Sequence, residues 1–254
     1  MMLAGSVLDR PPGNKYTAKL RFAELSLRAP LPRAPTLKRM RYALPEGFVV
    51  ALRAPKTALV SARGPLRFDA KLEEGFAWLL AAREALAAKL VVLPTPADFT
   101  PGQRDRDLLA EFAKRLPRES GRHWVWAPSG PWEVEDAEKV AETLGLVLAF
   151  DPLQQPLPMA KVVYAQLRTI GARQSFSESL LGDVSALLTS ETLTESYVAI
   201  DAPRSFGDAV RLQKMADADD SADESDPESD DDSDEDADED FDDDSDQESD
   251  DDEE

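Results

Sequence analysis

Short apolar or β-branched runs alternate with longer stretches of helical periodicity over the first 215 residues. This is the pattern of repeated β-α units built around a parallel sheet. The runs that read as strands are Phe22–Leu27, Phe48–Leu52, Leu90–Leu93, His123–Ala127, Leu146–Phe150, Val162–Leu167 and Ser196–Ile200, with a weaker one at Met2–Ser6. Between them, Lys71–Ala88 carries Phe76, Leu79, Leu80 and Ala87 at helical spacing and reads as a long amphipathic helix. Shorter helices are predicted over Arg106–Arg115, Val134–Leu144, Ser179–Thr189 and Phe206–Met215. At Leu144, Gly145 and Leu146 a helix-stopping glycine leads directly into a strand. Eight strands with intervening helices predict a closed TIM-like (β/α)8 barrel, near the lower size limit for that fold. A doubly wound open sheet is the alternative.

Prolines punctuate this pattern where strands hand over to loops, among them Pro55, Pro94, Pro96, Pro128, Pro152, Pro156 and Pro158. Strand termination accounts for each taken singly. Most of them nonetheless fall at the end where parallel α/β proteins build their sites.

Composition changes the picture at one place. From Asp217 to Glu254 the chain has 26 acidic residues, no Lys or Arg, one aromatic (Phe241) and three other apolar residues, Ala218, Ala222 and Ala237. Too little apolar surface is available there to offset ordering entropy, so a folded domain at 1–215 and a disordered Asp/Glu/Ser-rich tail at 216–254 are expected. The formal charge of −21 belongs to that tail. Residues 1–216 carry 29 bases and 24 acids, and residues 1–122 alone carry 22 bases and 12 acids. A solvated solubility tail is the plainest reading. The functional alternatives are mimicry of nucleic acid toward a basic partner, screening of the protein's own basic N-terminal half, and loose retention of divalent cations. No D-x-D-x-D-G calcium loop is present. Ser221, Ser225, Ser229, Ser233, Ser245 and Ser249 each precede an acid by three residues, a spacing that acid-directed kinases prefer.

The chain has no Cys, which excludes disulfides, thiolate metal sites and a cysteine nucleophile, and it has a single His, His123, with no G-x-S-x-G to accompany it. No apolar run approaches 18 residues and no charged-then-apolar leader precedes the body. A cytoplasmic protein without membrane association is expected.

Several segments resemble one family in order and spacing. Leu44, Pro45, Glu46, Gly47 and Phe48, running on to Arg53, Ala54 and Pro55, are similar to the "LPEGF, short strand, K-A-P" segment of the YecE-like proteins, domain of unknown function 72. Phe22, Glu24 and Leu25 resemble that family's F-x-x-V-E-I strand, and Leu93 with Pro94 its Q-L-P-P strand end. Val125–Trp132 stands in the place of V-E-F-R-H-P-S-W, and Asp151 with Pro152 in that of D-S-P. Tyr164, Leu167 and Gly171 resemble Y-V-R-L-H-G, and Tyr197, Val198 and Ile200 resemble Y-V-Y-F-N-N, followed by Asp208, Ala209 and Leu212 on the helix behind. The resemblance implies an eight-fold β/α barrel. The family's N-terminal G-T-S-G-W segment is reduced here to Ala4, Gly5 and Ser6, which implies a barrel reduced or incomplete at its first β/α unit.

Departures from the family pattern fall at strand ends. Trp126 stands for Glu, Pro128 for Arg, Ser129 for His, Gln166 for Arg, Arg168 for His, and Asp201 with Ala202 for Asn-Asn. Against that pattern, most of the pocket chemistry has been replaced.

The candidate pocket that remains comprises Glu24, Arg53, Asp151, Gln166, Arg168 and Asp201. Glu24, Asp151 and Asp201 have the oxygen ligands Mg²⁺ or Mn²⁺ would take. Imidazole support is missing, because His123 begins its strand and points to the opposite end. An ion pair between Glu24 and Arg53, and a turn role for Asp151 before Pro152, are the plainer readings. Gln166 and Arg168 share one side of their strand, open equally to an anion or to solvent. Trp124 and Trp126 share a face and suit helix-layer packing better than base stacking, and Trp78 on the long helix packs inward. The stretch Arg33, Lys38, Arg39 and Arg41 could touch phosphates, although charged helix faces are usually solvated. No metal and no cofactor is expected. Two functions follow: a non-catalytic binding or scaffold barrel whose tail screens or mimics polyanions, or a metal-assisted barrel enzyme acting on a sugar, phosphate or nucleic-acid substrate.

Overall fold

The computed structural model of the chain describes residues 1–223. Eight parallel strands close into a barrel: β1 (Met2–Leu8), β2 (Phe22–Leu25), β3 (Val49–Arg53), β4 (Leu90–Thr95), β5 (His123–Pro128), β6 (Val147–Phe150), β7 (Val162–Arg168) and β8 (Glu195–Asp201). Neighbours follow chain order around the ring, and β1 closes it by pairing with β8 (Ser6 beside Ile200) and with β2 (Val7 beside Glu24). The helices are α1 (Asn14–Thr17), α2 (Ala34–Tyr42), α3 (Ala70–Ala85), α4 (Gln103–Lys114), α5 (Val134–Thr143), α6 (Glu178–Leu188) and α7 (Ser205–Asp223). A two-residue ladder, Val60–Ser61 with Gly64–Pro65, decorates the connection after β3. All eight expected strands form, and the closed barrel, not the open sheet, is the fold. The first β/α unit is reduced only in its helix, which is one turn long, while β1 is a full seven-residue strand.

Alternation along each strand sorts side chains into two cores. The inner set holds Leu3, Phe22, Ala51, Leu90, Val92, Val125, Ala127, Ala149, Tyr164, Tyr197 and Ala199. An eight-stranded barrel is just wide enough to be filled by side chains. Phe22, Tyr164 and Tyr197 supply the bulk, with ring centroids 6.4 Å apart for Phe22–Tyr164 and 5.5 Å for Phe22–Tyr197. Small residues elsewhere in the inner set make room for them. Gly5 is required for a different reason: a Cβ there would lie 2.2 Å from the carbonyl oxygen of Phe22 on the adjacent strand.

The outer core lies between sheet and helices. Trp124 and Trp126 belong to it. Trp124 donates its indole N–H to the carbonyl of Pro117 at 2.9 Å, and Trp126 donates to Thr95 Oγ1 at 3.1 Å while meeting Trp132 edge-on at 4.8 Å. Trp78 is half-buried and donates to the Pro32 carbonyl at 2.9 Å.

Helix ends follow local chemistry. Asp69 caps α3 by accepting from the Leu72 N–H at 2.8 Å. Beyond α5, Gly145 takes φ 61°, and the N–H groups of Gly145 and Leu146 return to the carbonyls of Glu142 and Ala141. This is the stop expected from the sequence. Between β6 and β7 no helix forms. The connection, residues 151–161, contains Pro152, Pro156 and Pro158 and turns tightly, with Gln154 and Gln155 N–H groups on the Asp151 carbonyl.

The last helix departs most from expectation. It continues past Met215, burying Ala216 and placing Asp219 where it accepts from Ser185 Oγ at 3.0 Å. The boundary expected at 215/216 therefore falls inside α7. The remainder of the acidic tail, with Ser225, Ser229, Ser233, Ser245, Ser249 and Phe241, lies outside the described residues. No helix among the described residues is long and apolar enough to cross a membrane.

Candidate functional site

Inward-facing positions at the carboxyl ends of the strands bring the predicted pocket residues to one end of the barrel. They do not form a single cluster. Glu24 on β2 is fully buried and holds an ion pair with Arg53 Nε on β3. Its second oxygen accepts the hydroxyl of Tyr164, which reaches over from β7 at 2.5 Å. The three side chains form a floor across the lumen. Burial penalises the Arg53 guanidinium, but the adjacent Glu24 carboxylate, with smaller contributions from Tyr164 and Asp201, outweighs it and raises the Arg53 pKa. Burial and the same carboxylate push the Tyr164 hydroxyl well above the ordinary phenol range. Arg53 Nη2 is left buried without an acceptor.

Asp151, Gln166 and Arg168 line a separate cavity of about 590 Å³ on the β5–β7 side, together with Ala127, Ala149, Phe150, Gln154 and Gln155. Small side chains on β5 and β6 open this space above the floor. Asp151 serves the turn that follows β6: one carboxylate oxygen accepts the Leu153 N–H at 3.0 Å, the other accepts Gln154 Nε2, and its own N–H donates to Gln155 Oε1 at 2.8 Å. Arg168 Nη2 donates to Gln166 Oε1 at 2.8 Å, and Gln166 Nε2 is buried with no acceptor. Asp201, the exposed last residue of β8, stands beside Arg168 in register and within electrostatic reach of Arg53.

This arrangement bears on the alternative ligand set and on Trp126. Glu24, Asp151 and Asp201 do not converge as an oxygen ligand set, and among the described residues no group of three or more His, Asp or Glu side chains is placed to hold a metal ion. Trp126 packs in the helix layer, as its shared face with Trp124 predicts. Because Val125 and Ala127 face the lumen, Trp126 faces the helices, so its replacement of Glu in the family pattern changes the outer layer, not the pocket.

A polar cluster occupies the opposite end, as the position of His123 implied. Glu195 accepts from Lys89 Nζ at 2.6 Å and from the Tyr197 hydroxyl at 2.9 Å, and His123 Nε2 stands 3.6 Å from it. Burial lowers the His123 pKa, with Lys89 adding to the shift and Glu195 opposing it. For Glu195 burial acts to raise the pKa, but the hydrogen bonds from Lys89 and Tyr197 and the charges of Lys89 and His123 lower it overall.

The sequence reading omitted Tyr164 and Arg173 from the site. Tyr164 lies two residues before Gln166, on the same strand face, and alternation alone would have found it. Arg173 lines an adjoining cavity of about 340 Å³ with Asp151, Leu153, Gln154, Arg168, Ile170 and Phe176. It sits in an irregular loop where no periodicity marks it.

The fold is similar to solved structures of two DUF72 family proteins, the family whose sequence pattern the chain resembles. One, from Enterococcus faecalis, is 14% identical, with a TM-score of 0.61 over 85% of this chain and 96% of that one. The other, from Thermotoga maritima, is 15% identical, with a TM-score of 0.61 over 85% and 99%. Endonuclease IV from Thermus thermophilus is 13% identical, with a TM-score of 0.54 over 85% and 98%. No protein-family model and no curated protein matches the chain. At these identities the likeness is one of fold.

Proposed function

We propose that the chain is a divergent YecE-like barrel that binds a small molecule at its carboxyl-end mouth without metal-assisted catalysis, with its acidic tail acting as counter-charge to the basic N-terminal half. One observation carries this reading. Glu24, the one fully buried carboxylate of the candidate pocket, spends both oxygens on Arg53 and Tyr164. A carboxylate so engaged holds strands together and is not free to abstract a proton or bind a cation. The space above it is a cavity of about 590 Å³, within the size range of small-molecule sites.

The metal-assisted reading needs convergent oxygens. Asp151 is taken up by its turn, which leaves Asp201 as the single carboxylate of the proposed set without a hydrogen-bonded role among the described residues.

Ligand-observed NMR screening of a fragment library against the full chain and against Ala149→Trp, which fills the cavity from β6, tests the binding reading. Hits that the substitution abolishes support it. A hit list unchanged by Ala149→Trp contradicts it.

A further inference from the structure

We propose that the mouth selects a ligand with an oxyanion head, a carboxylate or a phosphate monoester, held between Arg168 and Arg173 with the Gln166 amide beside it. This deepens, and rests on, the binding reading above. Arg168 ends β7 and lines both cavities, the chamber of about 590 Å³ and the adjoining one of about 340 Å³, and Arg173 lines the second. Neither forms an ion pair among the described residues, and the only side-chain partner of Arg168 there is the neutral Gln166. The acid in the same lining, Asp151, has both oxygens occupied by Leu153 N–H and Gln154 Nε2. Two guanidinium groups therefore face a shared space whose one lining carboxylate is already engaged by its turn, while Asp201, beside Arg168 in register on β8, lies outside both linings and forms no ion pair with it.

The hydrogen-bond balance points the same way. Gln166 is nine-tenths buried, and with Oε1 occupied by Arg168 its Nε2 is a donor lacking an acceptor. Buried donors without partners are costly, and an acceptor supplied by a ligand relieves that cost. Arginine forks match the planar geometry of carboxylates and the oxygens of phosphates. Beside the polar Ser129, Gln154 and Gln155, the walls carry an apolar patch. Phe150 lines the larger chamber, Phe176 the smaller, and Ile170, 77% exposed, borders both. An anionic head with a flat apolar body fits this combination.

The test uses the full chain and isothermal titration at fixed ionic strength with four probes: phenyl phosphate, phenylacetate, inorganic phosphate and the neutral 2-phenylethanol. Phenyl phosphate or phenylacetate is expected to bind at least tenfold more tightly than 2-phenylethanol, and the order of the first two identifies which oxyanion is preferred. Arg168→Gln and Arg173→Gln are each expected to weaken the anionic probe by about tenfold, the size of one lost charge-assisted hydrogen bond. Arg39→Gln, in the exposed last turn of α2 at the opposite end of the barrel, is expected to leave it unchanged. Equal affinity for the neutral and anionic probes, or equal losses in all three arginine variants, overturns the proposal. If neutral fragments bind in a manner sensitive to Ala149→Trp while the anions do not, the oxyanion assignment fails and the binding reading stands. If no probe and no fragment binds, both fail.

Discussion

Tyr164 and Glu24, 140 residues apart in sequence, meet inside the barrel, the phenol of β7 donating to a carboxylate of β2 that is fully closed to solvent. With Arg53 they tie three strands on two sides of the lumen. Breaking a buried ion pair by removing one partner strands the other, at about 3–5 kcal/mol. Glu24→Ala is therefore expected to lose that much in urea denaturation. Tyr164→Phe, which removes one hydrogen bond to a charged group, is expected to lose about 2 kcal/mol. The double variant Glu24→Leu/Arg53→Met removes both charges and is expected to be more stable than Glu24→Ala, a coupling that a double-mutant cycle reads directly.

At the other end of the barrel, stability is expected to depend on pH in a fixed direction. The folded pKa values of His123 and Glu195 both lie below their ordinary ones. Each group therefore contributes stability that is present above its unfolded pKa and is lost as pH falls through its folded value. The urea midpoint is expected to be flat above about pH 6.5, the unfolded value for His, and to fall in acid, with the Glu195 contribution lost below about pH 4.5. His123→Gln should remove the upper part of the fall and leave the lower. A midpoint that rises on acidification would contradict the cluster's geometry.

Two glycine substitutions are expected to have opposite signs. Gly5→Ala drives a methyl into the Phe22 carbonyl, backbone that cannot swing aside, and is expected to cost about 2 kcal/mol or more by parting β1 from β2. Gly182→Ala adds a methyl to the middle of α6, where nothing lies within 4 Å, and is expected to gain about 0.5–1 kcal/mol. Thermal melts of both variants check the pair.

Truncation separates the helix from the polyanion. A chain ending at Met215 loses the buried Ala216 and the Ser185–Asp219 hydrogen bond, and is expected to melt earlier than one ending at Asp223. Removing only residues 224–254 is expected to leave the melting temperature unchanged and to increase retention on heparin, in a manner that fades with salt, if the tail screens the basic half. Equal retention of the full and shortened chains would reduce the tail to a solubility device.

The barrel was legible because its strands are short apolar runs bounded by proline and glycine, and because helices such as α4 and α5 advertise their period. α1 was not legible, since four residues carry no period. The site was half legible. Glu24, Arg53, Asp151, Gln166, Arg168 and Asp201 do face the carboxyl end, because residue type at a strand's end and strand alternation are local properties. Which of them pair is a matter of ring geometry. Nothing local to Glu24 specifies that Tyr164, three strands away around the ring, comes to it. The helix-layer position of Trp126 was legible from alternation, since its neighbours Val125 and Ala127 face the lumen. The helical reach of α7 into acidic sequence comes from tertiary packing on α6, which overrides the charge repulsion that composition registers.

Glu24→Gln tests most directly whether Glu24 is a structural tie beneath a binding chamber. Measured at a temperature where circular dichroism reports a folded barrel, the variant is predicted to keep the fragments that Ala149→Trp loses, with affinities within about threefold of the parent and only its stability lowered. A metal-dependent turnover by the full chain that Glu24→Gln abolishes while the fold persists would contradict it.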